Sequence, residues 1–68
     1  MAIKEKTAGD LLRERREAKG WNRNQLMVHS GVTATGIGNI EDGIGAPRLD
    51  TLQKLAAALG CSTKELVP

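Results

Sequence analysis

Thr35 and Asn39 lie four residues apart in a segment whose isoleucines, Ile37 and Ile40, have helical spacing, so their side chains project together on the side opposite Ile37. An asparagine amide can donate to and accept from the edge of an adenine at once, and a threonine offers either its hydroxyl or its methyl to a thymine. That is the chemistry of recognition, not of bond breaking. The segment holds no arginine or lysine, so the commonest contact to guanine is missing. Elsewhere the residues that could do covalent chemistry stand alone. His29 is the only imidazole and has no partner at metal-ligand spacing. Cys61 is the only thiol and reads as a small core hydrophobe. Asp10, Glu14 and Glu17 follow along one solvated helix face and form no acid–base pair in a cleft. Gly36 and Gly38 have no strand before them, which sets aside a phosphate loop. Neither an enzyme nor a metal, cofactor or small-molecule site is expected.

Positioning Thr35 and Asn39 requires a rigid frame, and the stretch from Trp21 to Gly43 has its parts. It reads as two short helices, about 23–30 and 34–42, jointed at Ser30-Gly31-Val32-Thr33. Asn22 can cap the first, with Gln25 at capping-box spacing, and Thr33 can cap the second. Each cap follows an apolar residue that meets another five positions on, Trp21 with Leu26 and Val32 with Ile37, the spacing of a hydrophobic staple. Such a unit can present the start of its second helix to a groove, most often that of DNA. One aromatic makes no single-strand stacking surface, so Trp21 is expected in the core.

The rest of the chain must hold that unit. A first helix is expected at about 8–19, opened by Thr7, anchored inward by Leu12 with Ala8, Arg15, Arg16 and Lys19 near its stripe, and stopped by Gly20. Leu49, Leu52, Leu55, Ala56 and Leu59 follow the i, i+3, i+4 pattern of a fourth helix closed by Gly60. Ser62 with Glu65, and Cys61 with Leu66, repeat the capping box and the staple for a short fifth. No stretch alternates long enough to be a strand. The expected class is all-α, with a basic arm at residues 1–6 and one domain over 7–68.

Composition bounds the partners. Sixty-eight residues make one small domain, and a single cysteine excludes an internal disulfide, so packed helices must supply the stability. The net charge is +2, unevenly spread: residues 1–23 carry seven basic and four acidic side chains, the remainder three and four. A field biased to one part can orient a small domain on a polyanion. No apolar leader and no run of about 18 apolar residues occurs. Cytoplasmic residence without a membrane partner is the expectation.

Arg16, Gly20-Trp21-Asn22, Leu26, Gly31-Val32-Thr33, Ile37, Ile40-Glu41-Asp42-Gly43, Pro47, Leu52, Leu55-Ala56 and Leu59-Gly60 together resemble the phage repressor and Cro-like (XRE-type) helix-turn-helix family over nearly the whole chain. The resemblance implies a compact five-helix bundle of the lambda-repressor-like type, with the helix-turn-helix at about 22–42, acting as a homodimer on double-stranded DNA. It implies an ion pair between Arg16 and Glu41, base contacts from Thr33, Ala34, Thr35, Gly38 and Asn39, and phosphate contacts from Asn22, Arg23, Gly36 and Arg48. Arg23 stands where the family commonly has glutamine.

Gly36 and Gly38 weaken a helix. They fit close approach to DNA or to a partner helix, a helix ordered only on binding, or simple tolerance. Ile44, Leu66 and Val67 are left for a dimer surface. Sequence-specific duplex binding by a transcriptional repressor is the function expected. The alternative is an adaptor that keeps the fold and docks a protein helix on Ala34, Gly36 and Gly38.

Overall fold

Four α-helices follow one another in the computed structural model, which describes residues 6–68: α1 (Ala8–Ala18), α2 (Arg23–Ser30), α3 (Ala34–Glu41) and α4 (Leu49–Leu59). No strand occurs among the described residues. A single 3-10 turn, Thr63–Leu66, takes the place of the expected fifth helix. Its box closes within one turn, with the Ser62 N–H donating to Glu65 at 2.8 Å, and the chain is extended again at Val67. Of the arm expected at residues 1–6, only Lys6 falls among the described residues, where it pairs with Glu14 at 2.8 Å.

The helix starts form as their side chains dictate. Thr7 accepts from the Asp10 N–H while Asp10 accepts from that of Thr7. Asn22 and Gln25 exchange the same bonds, both at 2.8 Å. Thr33 accepts from the Gly36 N–H at 3.0 Å. Each bond satisfies a donor that the first helical turn would otherwise leave unpaired. Gly31 ends α2 at φ +78°, a left-handed conformation that side chains resist, and so sets the joint before α3.

The core comprises Leu12, Leu26, Ile37, Ile40, Leu52, Leu55, Ala56, Leu59 and Leu66. α3 packs against α1 and α2, and α2 also packs against α4. Two expectations about apolar residues are corrected. Leu49 is 64% exposed: the first turn of α4 overhangs the core, and burial starts at Leu52. Leu66 is fully buried, because the 3-10 turn folds back against α4 and α1, so it cannot serve a dimer surface.

On α1 the inward stripe runs Gly9, Leu12, Arg16, while Arg15 lies outside and faces Glu65 at 3.8 Å. A Cβ at Gly9 would collide with the Ile40 carbonyl oxygen and lie 2.9 Å from the Glu41 Cα. The backbones of α1 and α3 therefore touch at this crossing, and only glycine permits it.

Candidate nucleic-acid interface

With Ile37, Ile40 and Glu41 turned inward, the outer face of α3 is left to Thr33, Thr35 and Asn39, all exposed, with Ala34 half-buried at its first position. Asn22 and Asn24 are exposed at the start of α2, beside a cleft that Arg13, Arg16, Arg23 and Thr35 also line. The openings of both helices therefore face one side of the molecule, with short polar side chains displayed together.

Behind this face lies an ion network centred on Glu41, whose side chain has no solvent exposure. Arg16 reaches it from α1 with a two-point fork, Nε to Oε2 at 2.7 Å and Nη2 to Oε1 at 2.9 Å. The remaining Arg16 nitrogen, Nη1, donates to the Trp21 carbonyl at 2.8 Å. One guanidinium thus binds the end of α3 to α1 and to the segment that enters α2. Arg13 and Arg23 complete the cluster. Arg13 donates to the Glu41 carbonyl at 3.3 Å and lies 3.6 Å from Asp42. Arg23 donates to Glu41 at 3.2 Å and to Asp42 at 3.3 Å. Burial by itself would push the Glu41 carboxyl up. The hydrogen bond and charge of Arg16, then those of Arg23, outweigh it and hold the carboxyl below its ordinary value. The same pairing raises Arg16 further above its usual range.

The glycines and cations take places that spacing alone did not indicate. Gly38, expected at the bases, is buried, because the Arg23 guanidinium lies over it. Gly36, expected at a phosphate, has its N–H engaged by the Thr33 hydroxyl. Arg23, expected at a phosphate, is directed to Glu41 and Asp42. Arg48 projects from the start of α4 with 83% of its side chain exposed, 3.4 Å from Asp50. Trp21 is half-buried, and its ring stacks on His29 at 4.1 Å.

Arg13 and Asn24 are not singled out in the sequence, and Asp42 enters there only within the run Ile40 to Gly43, with no partner assigned. Arg13 had a signal, since it stands three residues before Arg16 and can reach the same partner. Among the described residues no group of His, Cys, Asp and Glu could hold a metal, and no helix is long and apolar enough to cross a membrane.

A family model described as helix-turn-helix matches residues 12–66. The chain is 48% identical over 52 residues to the HTH-type transcriptional repressor RghR of Bacillus subtilis (strain 168), an overlap covering 75% of this chain and 38% of that protein. It therefore spans well under half the length of that relative. Among solved structures, the restriction-modification controller protein C.AhdI from Aeromonas hydrophila matches with a TM-score of 0.82 and 37% identity, over 87% of this chain and 89% of that one. The P22 c2 repressor in complex with synthetic operator 9T matches with a TM-score of 0.85 and 27% identity, over 93% and 96% of the two chains.

Proposed function

The chain belongs to the helix-turn-helix family, and from that premise we propose that it binds double-stranded DNA in sequence-specific fashion and represses transcription as a two-fold dimer. The observation that carries this reading is the exposed polar face of α3, Thr33, Thr35 and Asn39, displayed beside the capped start of α2. α3 enters the major groove. Asn39 reads adenine, Thr35 and Ala34 meet thymine methyls or, for Thr35, an acceptor, and Thr33 assists at the helix start. Asn22 and the exposed Arg48 hold backbone phosphates on either side. Such a surface favours A·T-rich half-sites, since it offers no guanidinium or ammonium from α3 to a guanine.

The transcriptional repressor RghR, the restriction-modification controller C.AhdI and the operator-bound P22 c2 repressor lend support as relatives. For the dimer, Leu49 (64% exposed) takes the place of the buried Leu66 beside Ile44 (62%) and Val67 (49%) as apolar surface on the C-terminal side. The adaptor reading loses its smooth strip of small residues, because Arg23 covers Gly38.

Selection of bound sequences from a random duplex pool tests the proposal. A palindromic consensus with half-sites about 34 Å apart is expected. Asn39→Ala should relax the preference at one position per half-site, at a cost of about 1–3 kcal/mol. Recovery of no enriched sequence, or retention of DNA that ignores both salt and Asn39→Ala, would refute it.

A further inference from the structure

The geometry assigns Arg23 to positioning the recognition helix, with Gly38 as its seat; the functional half of this assignment rests on the DNA-binding reading above. α3 carries a glycine in its interior at a place that is buried, not open. A Cβ on Gly38 would lie 2.9 Å from Arg23 Nη1, 3.4 Å from Cζ and 3.8 Å from Cδ. The arginine therefore lies across α3 where residue 38 has no side chain. From that seat Nε donates to Glu41 at 3.2 Å and Nη2 to Asp42 at 3.3 Å.

Arg23 is the first residue of α2, while Glu41 ends α3 and Asp42 follows it. Its guanidinium straps the opening of one helix to the close of the other. Glu41 is a firm post for that strap, because Arg16 already holds it by two short bonds. Glycine weakens a helix interior relative to alanine. What alanine at 38 would displace is the end of a flexible side chain. The chain can still fold with alanine there, and what it loses is the strap. The angle at which α3 meets a duplex then depends on residue 23 through the network behind the helix, with no phosphate contact from the arginine. A neutral residue at 23 would remove no phosphate contact while loosening the reading head.

Binding of the full 68-residue chain to the duplex selected above is measured for Arg23→Gln, Arg23→Lys, Gly38→Ala and the Arg23→Gln/Gly38→Ala double variant. Arg23→Gln is expected to weaken binding about tenfold, the scale of a lost charge-assisted bond. The slope of log K against log salt stays at the wild-type value, since no phosphate contact is removed. Arg23→Lys behaves like Arg23→Gln, because an ammonium cannot fork two carboxylates. Gly38→Ala weakens binding to a similar degree although its melting temperature does not fall, so unfolding is not the cause. The double variant binds no worse than Arg23→Gln alone. If Arg23→Lys kept wild-type affinity and Arg23→Gln flattened the slope by about one per subunit, the arginine would be a phosphate contact and the assignment would fall. Additive losses in the double variant would also overturn it.

A thermal cycle needs no DNA. Gly38→Ala should raise the melting temperature by about 4–8 °C in the Arg23→Gln background, and by less in the wild type, where it evicts the guanidinium. Equal shifts in the two backgrounds would remove the seat. A pool that yields no enriched sequence sinks the DNA-binding reading alone, and the thermal cycle still decides between seat and no seat.

Discussion

Glu41 is the position where one substitution should do most damage, and the network sets how much. Glu41→Ala leaves Arg16 with 11% of its side chain exposed and without its two-point partner. Arg13 and Arg23, at 40% and 38%, can turn to water and lose little. Stranding one buried partner of an ion pair costs about 3–5 kcal/mol. Total stability for 68 residues is on the order of 3–10 kcal/mol. The melting temperature should therefore fall by at least about 12 °C, or the cooperative melt should vanish. Removing both partners, Arg16→Met with Glu41→Leu, strands nothing. It forfeits the bond from Arg16 to the Trp21 carbonyl, worth about 1 kcal/mol, and should be milder than Glu41→Ala alone. Circular dichroism melts and urea unfolding of the three chains decide the matter. A double variant at least as unstable as Glu41→Ala would refute the reasoning, as would a Glu41→Ala cost below about 1 kcal/mol.

Acid should act through the same carboxyl. Its folded-state value is lowered, so the stability it supplies is complete above the ordinary glutamate value of 4.5 and is lost as pH falls through the lower folded value; melts between pH 6 and pH 2 should lose this slope in Glu41→Gln. Gly9→Ala should destabilise by about 1–3 kcal/mol despite the better helix former, because its Cβ runs into the backbone of residues 40 and 41; an unchanged melting temperature would contradict the backbone contact. Leu66→Ala should cost about 2–5 kcal/mol, whereas Leu49→Ala, at 64% exposure, should stay within about 0.5 kcal/mol by urea titration in the monomer. Thr33→Ala removes the cap on the Gly36 N–H and should cost about 1 kcal/mol, with α3 fraying first in amide exchange.

What could be read from the linear chain was what depends on neighbours a turn apart. Caps, staples and glycine stops act between residues three to five positions away, so Thr7, Asn22, Thr33, Gly31 and Gly60 marked the helices where they form. The outward pair Thr35 and Asn39 followed from the same periodicity. What only the tertiary structure decided was every matter of which distant groups meet. Periodicity gives a residue's face and not what covers that face, so Leu49 was expected inside and Leu66 outside until the overhang of α4 and the return of the 3-10 turn set their burial. Gly38 reads in the sequence only as a helix weakener and Gly9 carries no signal there, yet Gly9 admits the backbone of α3 and Gly38 admits the side chain of Arg23. The convergence of Arg13, Arg16 and Arg23 on Glu41 and Asp42 joins residues 18 to 29 positions apart in sequence, and electrostatic pairing over that separation is settled by how helices cross, not by local spacing.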